Sequence, residues 1–438
     1  MAKKGIDIYE GWHGGVLNGL EERSDGVYDP KLRLEYDPLF HPVLGTGVNR
    51  RALLKAAGLA ALGSVIPRAY AADKKFDPVV RIGYLPITDA AALLVAHEKG
   101  FLKQQGLDSI RPTMVRSWQE VVESFESHRF NLTHLLIPVP IWMRYGNHFP
   151  VKIVAWDHTN GSAMVVRKGS GIKSFKDLGG KQFAQPFWYS IHNIISQLEL
   201  RNAGIKPVIR PQSAKLASDE CNLLILPPPD MPPALASGKI DAYCVAEPFN
   251  ALGELLAGGE VLRFTGDIWR GHPCCVVCMH EADAMDPARA QWAQAVLNAI
   301  VQSQIYIDAN RTEVAHLLSR DGQKYLPFPA KVVERAMVFY NPTFYKEAIK
   351  HPEWHQDRID MDPWPYPSAT ERVTTDLQKT LVTGDRAFLD KLTPEFVAKD
   401  LVNYEHVKKA TEKFPAWKKD ASVSTSSDPY VRTEVIDL

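Results

Sequence analysis

The chain has 438 residues, of which 45% are hydrophobic and 23% charged, and its 51 Lys and Arg balance 51 Asp and Glu. A net charge of zero excludes the basic surplus of a nucleic-acid binder and a charge-driven attachment to membranes. The length builds two or three domains, each with its own core, and five cysteines do not make a disulfide framework.

Residues 1–72 read as a leader. Met1 to Gly47 has no sustained helix or strand period. Arg50-Arg51 is then followed by Leu53, Leu54 and Lys55, an apolar stretch to Ile66, and Ala69-Tyr70-Ala71 as a small-x-small cleavage site. That order is a secretory signal, and paired arginines favour the twin-arginine (Tat) route for folded proteins. The apolar run is well short of the ~20 residues a membrane span needs. The pattern predicts the Tat machinery as a partner, cleavage near Ala71, and a mature periplasmic chain from about Asp73.

After Asp73, short apolar runs alternate with amphipathic stretches, which implies parallel α/β units. "VVRIGYLP" reads as a buried strand. "TDAAALLVAHEKGFLKQQG" reads as a helix with Thr88 or Asp89 as its cap and Gly106 as its stop. A gapless internal repeat, "SHRFNLTHLLIP" (Ser127 to Pro138) and "SGKIDAYCVAEP" (Ser237 to Pro248), predicts the same helix–turn–strand unit in each of two lobes. The lobes are expected at 73–160 with 267–438 and at 161–266, joined near Asn160-Gly161 and near Asp267. Helices after Ala282 are expected to pad the first lobe, and the end from Ala421 is polar.

Ligands of such sheets sit at the carboxyl ends of the strands, against helix N-termini. "FAQPFWYSIHN" is the strongest site signal. A strand ends at Ala184, Trp188 and Tyr189 stand ready as walls, and Ser190 caps a helix with His192 and Asn193 in its first turn. That arrangement suits an anion or a polar head group, and a packed corner is the alternative. "YLPITDAAAL" offers Thr88, Asp89 and more helix-terminal amides. Trp118, between a strand and a helix, is either a binding platform or a hinge plug. Glu247, at a strand end, either lines the cleft or makes a salt link between lobes. Gly-x-Ser-x-Gly, a Walker loop, a dinucleotide glycine fingerprint and His-Glu-x-x-His are all missing from the sequence.

"RIGYLPITDAAALLVAHEKGFLKQQGL", "GIKSFKDLGGKQFA" and "GKIDAYCVAEPF" together resemble the periplasmic binding proteins for nitrate, sulfonates, taurine and bicarbonate that feed ABC transporters. The resemblance runs from about Val80 to Glu281. It implies a two-lobe periplasmic-binding-protein fold of type II, with a cleft between lobes and a helical C-terminal extension. It also implies a monomer without enzymatic activity or cofactor, which delivers a small molecule to an ABC transporter permease. By position, Trp118 and His192 look like the ligand-holding tryptophan and histidine of the nitrate and bicarbonate binders. Where those proteins carry a glutamine after the crossing, this chain has Ser162, a departure that leaves nitrate itself unassigned. Pyrimidine or other heterocycle binders share the fold. So do the metal-dependent pyrimidine synthases of thiamine biosynthesis, whose iron-linked cysteine run "HPCCVVC" matches incompletely.

That stretch, His272 to Cys278, falls where a strand is expected. Strand alternation puts Cys274 and Cys278 on one face and Cys275 on the other, with Cys274 and Cys278 ~13 Å apart, too far for a disulfide. A buried core strand is therefore expected, with Cys274, Cys275 and Cys278 only weak metal candidates. His272, and Cys274 or Cys275, at the cleft end remain candidates for touching the ligand.

Overall fold

The computed structural model describes residues 76–417 and 427–438. The signal segment, and the polar stretch from Ala421 to Ser426, lie outside the described residues. Two sheets form the body. The first has five strands in the order β2-β1-β3-β12-β4, namely β1 (Ile82–Tyr84), β2 (Thr113–Met114), β3 (Leu132–Leu136), β4 (Val151–Trp156) and β12 (Cys275–His280). The second has six in the order β11-β6-β10-β7-β9-β8. These are β6 (Ser162–Arg167), β7 (Gln182–Gln185), β8 (Lys206–Val208), β9 (Glu220–Ile225), β10 (Ala242–Ala246) and β11 (Gly259–Phe264).

Each sheet has a parallel core and one antiparallel strand that arrives from the other sheet. β12 runs against β3 and β4, and β6 runs against β10 and β11. These are the two strands by which the chain enters one lobe from the other. A small strand pair, β5 (Thr159–Asn160) with β13 (Ile359–Asp360), ties the first crossing to the C-terminal region. Asn160 and Gly161 both take left-handed backbone there, at φ 58° and 76°. A Cβ on Gly161 would also come within 3.0 Å of His158 Cε1, so glycine is what the turn requires.

The internal repeat corresponds to two equivalent units. Helix α1 (Ala91–Glu98) and then α2 (Trp118–Glu126) lie on the first lobe, and α2 ends at Ser127 before β3 and Pro138. In the second lobe, the Met231–Ala236 helix ends at Ser237 before β10 and Pro248. Helix α3 (Ile191–Asn202) follows β7, with Ser190 as its N-cap accepting from Asn193 N at 3.0 Å. The expected long helix after β1 is interrupted. Thr88–Ala90 forms a 3₁₀ turn without a side-chain cap, and Gly100 is left-handed at φ 72° and starts a separate short helix.

The long helix α4 (Ala290–Ala309) packs on the first lobe, where Ser303 Oγ donates to Ala92 O at 2.7 Å. The rest of the tail reaches further than the first lobe. Tyr345, Ala348 and Ile349 form a small core with Ala163 of β6 and Phe264 of β11. Arg358 is buried against Glu247 and Glu254 of the second lobe. Among the described residues, no helix is long and apolar enough to cross a membrane.

Candidate functional site

The carboxyl ends of β1 and β4 and the start of β12 meet at the junction of the lobes. Asp89 lies in the turn after β1, Asp157 and His158 follow β4, and Cys274 and Cys275 open β12. All five are fully buried. His158 Nε2 stands 2.9 Å from Asp89 Oδ2. The same oxygen takes the thiols of Cys275 at 3.2 Å and Cys274 at 3.5 Å.

The expectation that Cys274 and Cys275 face opposite ways is corrected here. The strand begins at Cys275, so Cys274 belongs to the preceding extended turn and both thiols point at Asp89. Cys278 follows the strand rule. It is buried in the middle of β12 opposite Thr133 and Ile153, outside this group.

From the second lobe, Ser162 at the start of β6 and His192 in the first turn of α3 face the same point. Their side chains bond at 2.8 Å, and Cys274 Sγ lies 3.5 Å from Ser162 Oγ and 3.9 Å from His192 Nε2. His272 stands beside them, with Nε2 2.7 Å from Thr265 Oγ1, which in turn donates to Ser162 O at 3.0 Å. Burial holds His272 down to about 4, so it is a neutral ring. Partners in the cluster thus stand as far as 186 residues apart in the sequence.

Burial pushes the Asp89 carboxyl up to about 6, offset in part by the His158 charge. Burial disfavours a charged His158, but the Asp89 carboxylate overrides it and holds the imidazole well above its ordinary range. Burial also opposes a Cys274 thiolate, yet the adjacent Cys275 thiol, His192 and His158 bring Cys274 well below the usual thiol range. Cys275 moves up, through burial and the neighbouring Cys274. One thiolate of the pair is therefore favoured over two.

Several polar atoms at this junction find no hydrogen-bond partner among the described residues, namely Asp89 Oδ1, both carboxylate oxygens of Asp157, and His192 Nδ1. Gln185, the last residue of β7, has both side-chain amide atoms in the same condition. Buried polar groups are ordinarily paired, so this concentration marks a place built to meet something else.

Other sequence candidates occupy different positions. Thr88 bonds across the lobes, its N and Oγ1 donating to Glu247 O at 2.9 and 3.2 Å. The Glu247 carboxylate is committed to Arg358 at 2.6 Å and to Ala251 N at 3.0 Å. Of its two sequence readings, the geometry is that of a salt link. Trp118 is 2% exposed and packs on His134 at 5.5 Å, one layer behind the cluster. Tyr189 stacks on Trp142 of the first lobe at 5.5 Å and lies 6.2 Å from Phe388 of the tail. Trp188 is half-buried and offers its carbonyl to Asn193. The Ser190 hydroxyl is used by its cap and by Phe187 O at 2.7 Å. The aromatics therefore form a wall between lobes rather than direct neighbours of Asp89.

Sequence reading missed Asp157, His158 and Gln185. The available signal was position, since each stands at the carboxyl end of a strand that closes on the cleft. Gln304 of α4 grips that strand end, donating to Trp156 O at 3.0 Å and Asp157 O at 2.8 Å.

A profile of the NMT1-like family matches residues 73–319, more than half of the chain. The nitrate import ATP-binding protein NrtC of Synechocystis is 30% identical over 207 residues, which cover 46% of this chain and 31% of that protein. The nitrate/nitrite binding protein NrtA of Nostoc is 27% identical over 277 residues, 58% of this chain and 60% of that one. The chain thus spans less than two thirds of the length of either relative. Among solved structures, the periplasmic nitrate-binding protein NrtA from Synechocystis superposes with a TM-score of 0.65 at 18% identity, over 82% of this chain and 94% of that one. That likeness shows the two-lobe periplasmic-binding-protein fold.

Proposed function

Since the chain belongs to the NMT1-like family, we propose that it is an exported solute-binding protein that captures a small anion or small organic nutrient between its lobes and delivers it to an ABC transporter. One observation carries this reading. Ser162 and His192 of the second sheet's lobe meet Asp89 and Cys274 of the first at a single buried point. Only a closed molecule brings those groups together, so a ligand touching both sets favours closure through its differential contacts. We propose the lobe division 73–160 with 267–438 and 161–266; the grouping of the strands into two sheets supports it.

A binding role rather than catalysis, and a small anion of the nitrate, bicarbonate or sulfonate type, are the preferred assignments. Support for the anion comes from His192 in the first turn of α3, where the helix dipole favours negative charge. The nitrate import and nitrate-binding relatives point the same way. Ser162, His192 and Gln185 on one side and His158, held charged by Asp89, on the other are the proposed contacts. Export by the Tat route to the periplasm completes the assignment, and Arg50→Lys with Arg51→Lys is expected to leave the protein in the cytoplasm. The direct test is thermal unfolding of the mature protein with nitrate, bicarbonate, an alkanesulfonate and a pyrimidine in turn. One of the anions raises the melting temperature by several degrees. A shift with the pyrimidine alone would transfer the assignment to heterocycles.

A further inference from the structure

The ligand atoms of Asp89, His158, Cys274 and Cys275 all lie within 4.8 Å of one another, in four fully buried side chains. We propose that these residues hold a zinc-class divalent ion. The inference is independent of which solute the protein delivers, or whether it delivers one.

The geometry around Asp89 is the first ground. Its Oδ2 takes three neighbours, His158 Nε2 at 2.9 Å, Cys275 Sγ at 3.2 Å and Cys274 Sγ at 3.5 Å. Its Oδ1 takes none among the described residues. A carboxylate has room for donors on both oxygens, so a hydrogen-bonded knot would spread them. Crowding on one oxygen is what a shared cation at that corner produces. Tetrahedral bonds of ~2.0–2.3 Å put neighbouring donors roughly 3.3–3.8 Å apart. The three short separations fall near that range, and the widest, 4.8 Å, has to close by ~1 Å to reach it.

The scaffold is the second ground. The donors come from the ends of β1 and β4 and the start of β12, which belong to one sheet. Gln304 and the left-handed Asn160-Gly161 turn fix the strand end that carries His158. A site on strand ends holds its geometry better than one on loops. His192 and Ser162, at 3.9 and 3.5 Å from Cys274 Sγ, stand as outer groups from the other lobe.

The donor chemistry selects the metal. Two sulfurs and an imidazole exclude magnesium and calcium, which take oxygen. The carboxylate moves the preference from copper(I) toward zinc. Cys278, three positions beyond Cys275, takes no part.

The test uses the mature protein without a polyhistidine tag, stripped with chelator and dialysed against Zn²⁺ or Co²⁺. Expected results are one ion per chain by mass spectrometric metal analysis and a thiolate-to-cobalt absorption band. Cys274→Ser with Cys275→Ser is expected to weaken binding by more than about 100-fold, beyond the ~10–100-fold effect of an outer-shell change. Cys278→Ser retains the ion. Should circular dichroism show the double variant unfolded, Asp89→Asn takes its place, with a loss of affinity again expected to exceed about 100-fold. A wild-type protein that retains no ion, a cobalt form without the thiolate band, or an affinity indifferent to these variants would overturn the proposal.

Discussion

Arg358 and Asp89 are both fully buried charges beside the junction of the lobes, and their surroundings differ in how completely they are answered. Arg358 places Nε and Nη2 on Glu247 at 2.7 and 2.6 Å, Nη2 also on Glu254 at 2.9 Å, and Nη1 on the Tyr345 hydroxyl at 2.8 Å. Glu247 Oε2 accepts from Ala251 N, and Glu254 Oε1 from Tyr345 Oη. Asp89 loads one oxygen with three neighbours and leaves the other without a partner among the described residues, beside an Asp157 with neither oxygen partnered among them. A closed set of partners does a static job, anchoring the C-terminal region to the second lobe. An open set retains capacity for a ligand. Burial and charge alone do not separate the two cases, and the hydrogen-bond inventory does.

The largest expected effect falls on the closed set. Arg358→Met strands the buried Glu247 carboxylate and is expected to cost about 3–5 kcal/mol, read as a large drop in urea midpoint. An unchanged midpoint would mean that the network is not what anchors the tail.

A second variant separates an orphaned carboxylate from a binding one. Glu199, 4% exposed on α3, has Oε1 without a partner among the described residues, and burial pushes its carboxyl up to about 7 from 4.5. The folded state therefore binds that proton more tightly than the unfolded chain. Its contribution is intact below about pH 4.5 and is lost as pH rises to about 7. Glu199→Gln is expected to gain on the order of 2–3 kcal/mol at pH 8, to change little at pH 4.5, and to leave ligand affinity alone. Equal effects at both pH values would contradict the account.

Asp89→Asn is expected to show the reverse pattern. Its stability changes by less than about 1 kcal/mol, because the carboxylate bears the cost of burial, while affinity for the proposed divalent ion falls by more than about 100-fold, or ~2.8 kcal/mol. If it instead destabilised as strongly as Arg358→Met, the contrast between the clusters would disappear. The smallest effect belongs to Cys278→Ala. A lost buried thiol costs about 1 kcal/mol, and affinity stays within about twofold of wild type, measured by calorimetry.

Local rules made much of the architecture legible. The repeat around Pro138 and Pro248 marked two equivalent helix–strand units, and the Ser190 cap placed His192 at a helix start beside the cleft. Ser162 was noticed only through the family resemblance. What stayed hidden depended on contacts between distant residues. The Glu247–Arg358 link joins positions 111 residues apart, and no periodicity announces it. His158 was not singled out because its partner Asp89 is brought near only by the sheet order. Cys274 was misjudged by a single residue of strand boundary, which is enough to reverse the direction of a side chain.

The central claim is that groups from both lobes hold the ligand, and His192 is the second lobe's sharpest representative. Calorimetric titration of the anion that best stabilises the protein, into wild type and His192→Ala at the same pH, tests it directly. The account predicts one site in the wild type and an affinity more than about tenfold weaker in the variant, with the melting temperature of the unliganded protein nearly unchanged. Equal affinity in the two proteins would contradict it and place the binding site away from this junction.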